Sequence, residues 1–407
     1  MLRRPMERCR VAIIGAGQAG LSLSHELTHR GVEHLVLERG QIGQSWRDRW
    51  DSFCLVTPNW TVQLPGGAYA GPDPDGYLER DEIVAFLERY ADTIGAPVRE
   101  GIDVQTIDAS PDGGFTLGTS AGDIRTERVA IASGAFQHAI RPHAETLPDS
   151  LPQFDVADYR HPASLPDGGV LVVGSGQSGL QIAEELSRAG RDVVMACGRA
   201  PWMSRRVGAR DFVWWLVQSG FLDHAVSALT SPADRLSANV QNSGARGGHD
   251  LNYRVLRDAG VLLVGRFLGA RDRELRFAPD LAASVAWGDE RYRLLRDLFV
   301  RYAAEAGIPA PDMLEPNPFD GDAPESLPVS RFASVLYAGG YRPSYRAWVP
   351  WADAFDELGF PIHVDGESVA VPRLHFIGVH FLRKRKSSLL IGVGEDASIV
   401  ADRIVAG

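Results

Sequence analysis

Two stretches of this chain repeat one hydrophobic rhythm. VAII at 11–14 is an uninterrupted apolar run, LSLSHELTHRG at 21–31 places its apolar positions at helical spacing, and HLVL at 34–37 is a second apolar run. VLVV at 170–173, LQIAEELSRAG at 180–190 and DVVMA at 192–196 follow the same order. Short apolar runs bounded by glycine suit strands buried on both faces, and the amphipathic stretch between them suits a covering helix. Each copy therefore predicts a strand, helix, strand unit. Further along, GIDVQTID at 101–108, VLLV at 261–264 and VLYAGGYRP at 335–343 predict strands, the last read as the one that carries the chain back to the first unit. DERYRLLRDLFVRYAAEAG at 289–307 predicts a long helix, and the final 35 residues predict a strand, a loop and a closing helix.

The joints between first strand and helix carry the chemistry. Gly15, Gly17 and Gly20, with Gln18 and Ala19 between them, repeat the G-x-G-x-x-G spacing of Gly174, Gly176 and Gly179, which enclose Ser175, Gln177 and Ser178. In that spacing the first glycine permits a tight turn, the second lets the backbone approach a pyrophosphate, and the third lets helix pack on strand. The helix N-terminus then offers free N–H groups to the phosphates. The fold class expected is α/β, with two Rossmann-like dinucleotide-binding domains. The first domain is split, 1–160 and 331–407, around a second at 161–330 that carries a helical insertion at about 210–325. Glu38, followed by Arg39, ends the second strand of the first unit, where a carboxylate accepts hydrogen bonds from a ribose diol and repels a 2′-phosphate. Arg199 occupies the corresponding place in the second unit with Arg205 and Arg206 close behind, and guanidinium matches phosphate as a fork. FAD is therefore expected at the first site and NADPH at the second, with Val104 of the 101–108 strand as a backbone contact near the adenine.

Composition narrows the partners. The chain has 407 residues, 44% hydrophobic and 23% charged, with a net charge of −10. An acidic chain lacks the basic face that nucleic acid or anionic membrane needs, so a small molecule is the expected partner, with homodimerisation left open. Three cysteines, Cys9, Cys54 and Cys197, form neither a C-x-x-C pair nor a metal spacing. No signal-peptide or membrane-spanning run is evident, and a cytoplasmic location is the expectation. RKRKSS at 383–388 reads as a solvated face, and Asp250 and Asn252 as helix caps. Trp214, Trp215 and Trp287 in the insertion suit either a substrate lid or ordinary core.

Beyond the two fingerprints, GQSWRDRW at 43–50, ASGAF at 132–136, RAP at 199–201 and AGGYRP at 338–343 make the sequence resemble the class B flavin monooxygenases. The likeness is greatest to YUCCA-type members and to bacterial flavoproteins labelled as potassium-transport associated. The resemblance implies a glutathione-reductase-like two-dinucleotide fold. It also implies NADPH- and O2-dependent chemistry through a C4a-(hydro)peroxyflavin, with N-, S- or carbonyl-type oxygenation of a small organic substrate. It adds Gly43 and Trp46 to the FAD site, likens Leu389 and Leu390 to the loop covering the isoalloxazine, and by rough offset makes Asn59 the active-site asparagine. Of the family's F-x-G-x-x-x-H-x-x-x-Y signature only Tyr159 is present, with Asp149, Leu151 and Asp155 at the other places. The alternatives are an NADPH-dependent flavin oxidoreductase without oxygenation and a non-catalytic NADP-binding regulator.

Overall fold

The computed structural model describes residues 6–111 and 113–407. Residues 1–5 of the basic start, part of the segment read for a signal peptide, lie outside them. Both expected units are present, each around its own parallel sheet. In the first sheet the strands Leu374–Phe376, Ile124–Ile131, Glu7–Ile14, His34–Leu37 and Val98–Arg99 run parallel in that spatial order. An antiparallel pair, Val104–Ala109 and Phe115–Thr119, extends from Ile124–Ile131. Val11 to Ile14 are all buried, as a strand covered on both faces requires. One face is covered by the helix Gln18–His29, which shares a core with the closing helix Val393–Ala406 through Leu23, Leu27, Ala397 and Val400.

The second sheet has five parallel strands in the order Gln153–Asp155, Phe332–Tyr337, Gly169–Val173, Val193–Ala196 and Leu262–Val264. This corrects the sequence reading at both boundaries. Gln153–Asp155 precedes residue 161, and the sequence pattern assigns Phe332–Tyr337 to the return into the first domain, yet both hydrogen-bond within the second sheet. An apolar run announces a buried strand without saying which sheet buries it. The crossing lies just beyond, where Tyr341–Arg342 pairs antiparallel with His138–Ala139, so that the outgoing and returning connections run side by side.

The insertion is less helical than expected. It holds the helix Phe212–Gln218 and a series of short 3-10 turns. It also contributes the strand Leu262–Val264 and two strands of an antiparallel layer, Phe267–Arg271 and Glu274–Phe277. Its long helix, Leu281–Ala306, starts eight residues before the expected segment and stops where Gly307 adopts a left-handed φ of +65°. Trp215, Phe299 and Tyr292 bury this helix against Phe212–Gln218. Of the two expected caps, Asn252 serves the helix Tyr253–Asp258, its Oδ1 accepting from the N–H groups of Arg254 and Val255. Asp250 does something else: its Oδ1 accepts from Arg205 N–H at 2.5 Å.

Candidate functional site: two glycine turns on one cavity

The two glycine turns are near copies. Gly15 has φ +110° and Gly174 φ +108°, a region L side chains rarely adopt. A Cβ on Gly20 would stand 1.9 Å from the Gly15 carbonyl oxygen, and one on Gly179 would stand 2.2 Å from that of Gly174, so neither helix could sit so close with any other residue. The middle glycines differ in kind. A Cβ on Gly17 or on Gly176 would meet no protein atom within 4 Å. Both are helix N-caps, both line the cavity, and in each the open side is where a ligand phosphate has room to approach the backbone.

Around the first turn, Glu38 is buried, its two carboxylate oxygens accepting from the N–H groups of Ala16 at 2.8 Å and Gly40 at 2.9 Å. Each oxygen keeps a lone pair for a ribose hydroxyl. Arg39, Ile102 and Val104 line the same end of the cavity. Gly43, at φ +72°, donates to the Ala16 carbonyl and starts the turn Gln44–Arg47. Trp46 Nε1 donates to Gln18 Oε1 at 3.1 Å, and Gln18 Nε2 donates to the Ser388 carbonyl at 3.1 Å. That relay ties the fingerprint to the segment carrying Leu389 and Leu390, which line the cavity with Gln18, Ala19 and Trp46.

The second turn is held by the insertion. The Ser175 hydroxyl accepts from Gly198 N–H at 2.9 Å and bonds the Tyr253 hydroxyl, while Gln241 Nε2 donates to the Ser175 carbonyl at 2.7 Å. Gln177 Nε2 donates to the Asn242 carbonyl. Gly176, Gln177 and Ser178 line the cavity. Arg199, in the loop that follows the strand Val193–Ala196, is exposed and makes no hydrogen bond or ion pair among the described residues; Arg206 is exposed as well, and neither is among the residues lining the cavity.

Two expectations are corrected. Arg205 is 2% exposed, its Nη2 pairs with Asp211 at 2.5 Å, its Nη1 donates to the Val56 carbonyl at 2.8 Å, and its guanidinium lies between the rings of Tyr77 and Phe212. It ties the insertion to the first domain, and with its guanidinium buried and already held by Asp211 and the Val56 carbonyl it is not free to meet a phosphate. The Arg206–Val207 and Arg210–Asp211 hairpin brings Asp211 back to it, a return that residue types alone do not announce. Asn59 is buried off the cavity: its Nδ2 donates to the Asp73 carbonyl at 2.9 Å and its Oδ1 accepts from Leu78 N–H at 2.6 Å. Both ends of the amide brace a loop. Tyr159 is likewise structural, fully buried with its hydroxyl donating to Glu185 at 2.8 Å.

The cavity itself has a volume of about 1690 Å³ and is lined by both turns, the 388–391 segment and the insertion. Sequence reasoning assigned no role to Phe136, Tyr341, Trp348, His380 or Arg385, which also line it. The ASGAF and AGGYRP motifs contain the first two, so their signal was in view. Phe136 is 56% exposed, its ring 6.2 Å from Tyr341 and 6.4 Å from His380. Trp287 lines the cavity too, whereas Trp215 is core, which divides the expectation for the insertion's tryptophans.

Residues 12–216 match the model of the pyridine nucleotide-disulphide oxidoreductases. The chain belongs to this family. Over 399 residues it is 29% identical to "Uncharacterized oxidoreductase CzcO-like" of Geobacillus kaustophilus, covering 97% of this chain and 98% of that one. Over 188 residues it is 30% identical to "Indole-3-pyruvate monooxygenase YUCCA1" of Oryza sativa, covering 44% of this chain and 45% of that one. The flavin-containing monooxygenase from Stenotrophomonas maltophilia superposes with a TM-score of 0.69 at 20% identity over 98% of this chain and 99% of that one, a likeness of fold. Like other members of the pyridine nucleotide-disulphide oxidoreductase family, the chain has two dinucleotide-binding domains. Its relatives include YUCCA-type and flavin-containing monooxygenases. Among the described residues no helix is long and apolar enough to cross a membrane.

Proposed function

We propose that the protein is an FAD- and NADPH-dependent monooxygenase that inserts one atom of O2 into a small organic substrate. The observation that carries this reading is the single cavity on which both glycine turns, the Leu389–Leu390 segment and the aromatic wall of the insertion converge. A site for one drug-sized ligand occupies roughly 300–1,000 Å³. At about 1690 Å³ this one has room for cofactor and substrate together.

The residues fit both groups. Gly15, Gly17, Gln18, Ala19, Gly20, Glu38, Arg39, Gly43, Trp46, Val104, Leu389 and Leu390 would hold FAD. Gly174, Ser175, Gly176, Gln177, Ser178, Gly179, Arg199 and Arg206 would hold NADPH, the two arginines taking the 2′-phosphate. When bound, the flavin supplies hydride acceptance from the nicotinamide and activation of O2. The chain's own task is to orient and to exclude water. Leu389, Leu390, Phe136 and Trp348 present apolar surface to the cavity, and Gln18 fixes the first two by its bond to Ser388. Cys9, Cys54 and Cys197 all lie off the cavity, and burial pushes the Cys54 thiol up to about 11. That favours oxygen chemistry over a thiol-based reductase, which needs a reactive thiolate at the flavin.

The test is to follow NADPH oxidation, H2O2 release and product in parallel for the FAD-loaded protein, using a panel of sulfides, amines and ketones under air. Oxygenated product in near-stoichiometric ratio to NADPH is expected for some member. If every member returns all of its reducing equivalents as H2O2, the oxygenase reading falls and the oxidoreductase alternative replaces it.

A further inference from the structure

Arg383, Lys384, Arg385 and Lys386 stand consecutively in the turn that leads to Leu389. Three of these cations are paired with acids. Arg383 reaches Asp396 at 3.2 Å and Asp365 at 3.6 Å. Lys384 reaches Asp223 and Glu395, each at 2.9 Å, and Lys386 meets the same two carboxylates. The expected solvated face is instead an ionic seam between the insertion and the closing helix. Arg385 has no acid partner among the described residues. Its guanidinium lies between the rings of Phe221 at 4.5 Å and Phe381 at 4.8 Å, its Nε is enclosed without a hydrogen-bond partner, and the residue lines the cavity.

This arginine is not a loose surface side chain. Its backbone N–H donates to the His224 carbonyl at 2.9 Å, and Lys384 bridges Ala225 in antiparallel fashion. Its nearest acids in sequence are already claimed by the neighbouring cations. Burial lowers its pKa, yet an arginine keeps its charge in proteins. Burial, then the charges of Arg385 and Arg235, push His380 down to about 4, so the neighbouring ring is neutral at neutral pH. A half-buried cation held between two rings without a counter-ion is under-satisfied, and a carboxylate is the group that its planar fork matches.

The rest of the insertion's lining is mainly apolar. The long helix turns Trp287, Leu294, Leu295 and Leu298 to the cavity as one stripe, with Arg291 and Arg301 on the same face. Among the described residues Asp234 is the one acid the insertion adds to the lining. Its Oδ2 already accepts from Thr230 N–H, the Thr230 hydroxyl and Ser231 N–H.

We propose that Arg385 anchors the carboxylate of an otherwise apolar substrate whose body lies against the wall made by the insertion. This deepens the monooxygenase reading and rests on it for calling the ligand a substrate.

The experiment is calorimetric binding to the FAD-loaded protein in the presence of NADP+, with no turnover. The probes are a series of ω-phenylalkanoates, from phenylacetate to 6-phenylhexanoate, beside the matching amides. At least one acid should bind clearly tighter than its amide. Arg385→Gln should raise that acid's Kd about tenfold to a hundredfold, the range of a charge-assisted hydrogen bond, and move the amide little. Arg385→Lys keeps the charge without the fork and should recover part of the preference. If Arg385→Gln does not fold, the lysine variant decides alone and must lose several-fold of the acid's advantage. The proposal is overturned if no acid outbinds its amide, if substitution weakens acid and amide alike, or if the loss falls on NADP+, which would assign the guanidinium to a nucleotide phosphate. Because binding is read without chemistry, the anchor and the oxygenase reading can fail separately.

Discussion

The two glycine turns have the same backbone and different supports. The first is braced by its own domain: Gln18 is held by Trp46 and holds Ser388, and Glu38 is buried with both oxygens on backbone N–H groups. The second is braced from outside its strand and helix unit, by Gln241, Asn242 and Tyr253 of the insertion, and Arg199, the residue proposed to recognise its ligand, stands free in solvent. On the proposed assignment a ribose hydroxyl would be met by a pre-set, buried acceptor, and a phosphate by an exposed cation. The first arrangement suits a group that stays, the second a group that comes and goes. Similar fingerprints therefore do not imply similar residence times.

The largest effect expected is at the insertion's tie to the first domain. Arg205→Met leaves Asp211, which is 4% exposed, with the Tyr77 hydroxyl and Val213 N–H but no cation, and breaking a buried ion pair from one side costs about 3–5 kcal/mol. Urea unfolding of the FAD-loaded protein should register that loss, while Arg199→Ala should leave the midpoint in place. If the two arginines behave alike, the distinction between brace and recognition residue is wrong.

Next come the packing glycines. Gly20→Ala and Gly179→Ala each drive a Cβ into a backbone carbonyl, a strain of roughly 1–3 kcal/mol. The first variant should purify with depleted flavin. The second should keep its flavin and bind NADPH poorly, as a fluorescence titration would show. Flavin loss in both would mean that the two turns do not act separately.

Arg199→Ala should raise the KM for NADPH about tenfold to a hundredfold and that for NADH much less, as a charge-assisted phosphate contact predicts. Equal shifts would move the 2′-phosphate contact to Arg206. The smallest effect is reserved for Asn59→Asp. The new carboxylate keeps the acceptor for Leu78 N–H and loses the donor to Asp73, so thermal unfolding should show a loss of roughly 1–2 kcal/mol, with the ratio of product to NADPH unchanged. A changed ratio at full stability would return Asn59 to the site.

The glycine turns and the place of Glu38 beside the first were legible because each is fixed over a few residues: a tight turn, a strand end and a helix start set their neighbours by local sterics. The chain's division was legible to within one strand at each boundary. Gln153–Asp155 and Phe332–Tyr337 were misassigned because apolar patterning reports burial and not the partner that provides it.

Arg205, Asn59 and Arg385 show the limit from the other side. All three carried a polar side chain in a plausible neighbourhood, and the sequence alone could settle only that neighbourhood and the two dinucleotide units around it. Their roles were decided by contacts across long stretches of chain: Val56 and Tyr77 beside Arg205, Asp73 and Leu78 around Asn59, Phe221 beside Arg385. Whether a charge or an amide is free to meet a ligand depends on which groups the fold has already brought to it, because burial makes every donor and acceptor seek a partner. Only the tertiary structure supplies that list of partners, and in this protein it pairs Arg205 and Asn59 with groups of the chain itself and brings Arg385 to the cavity.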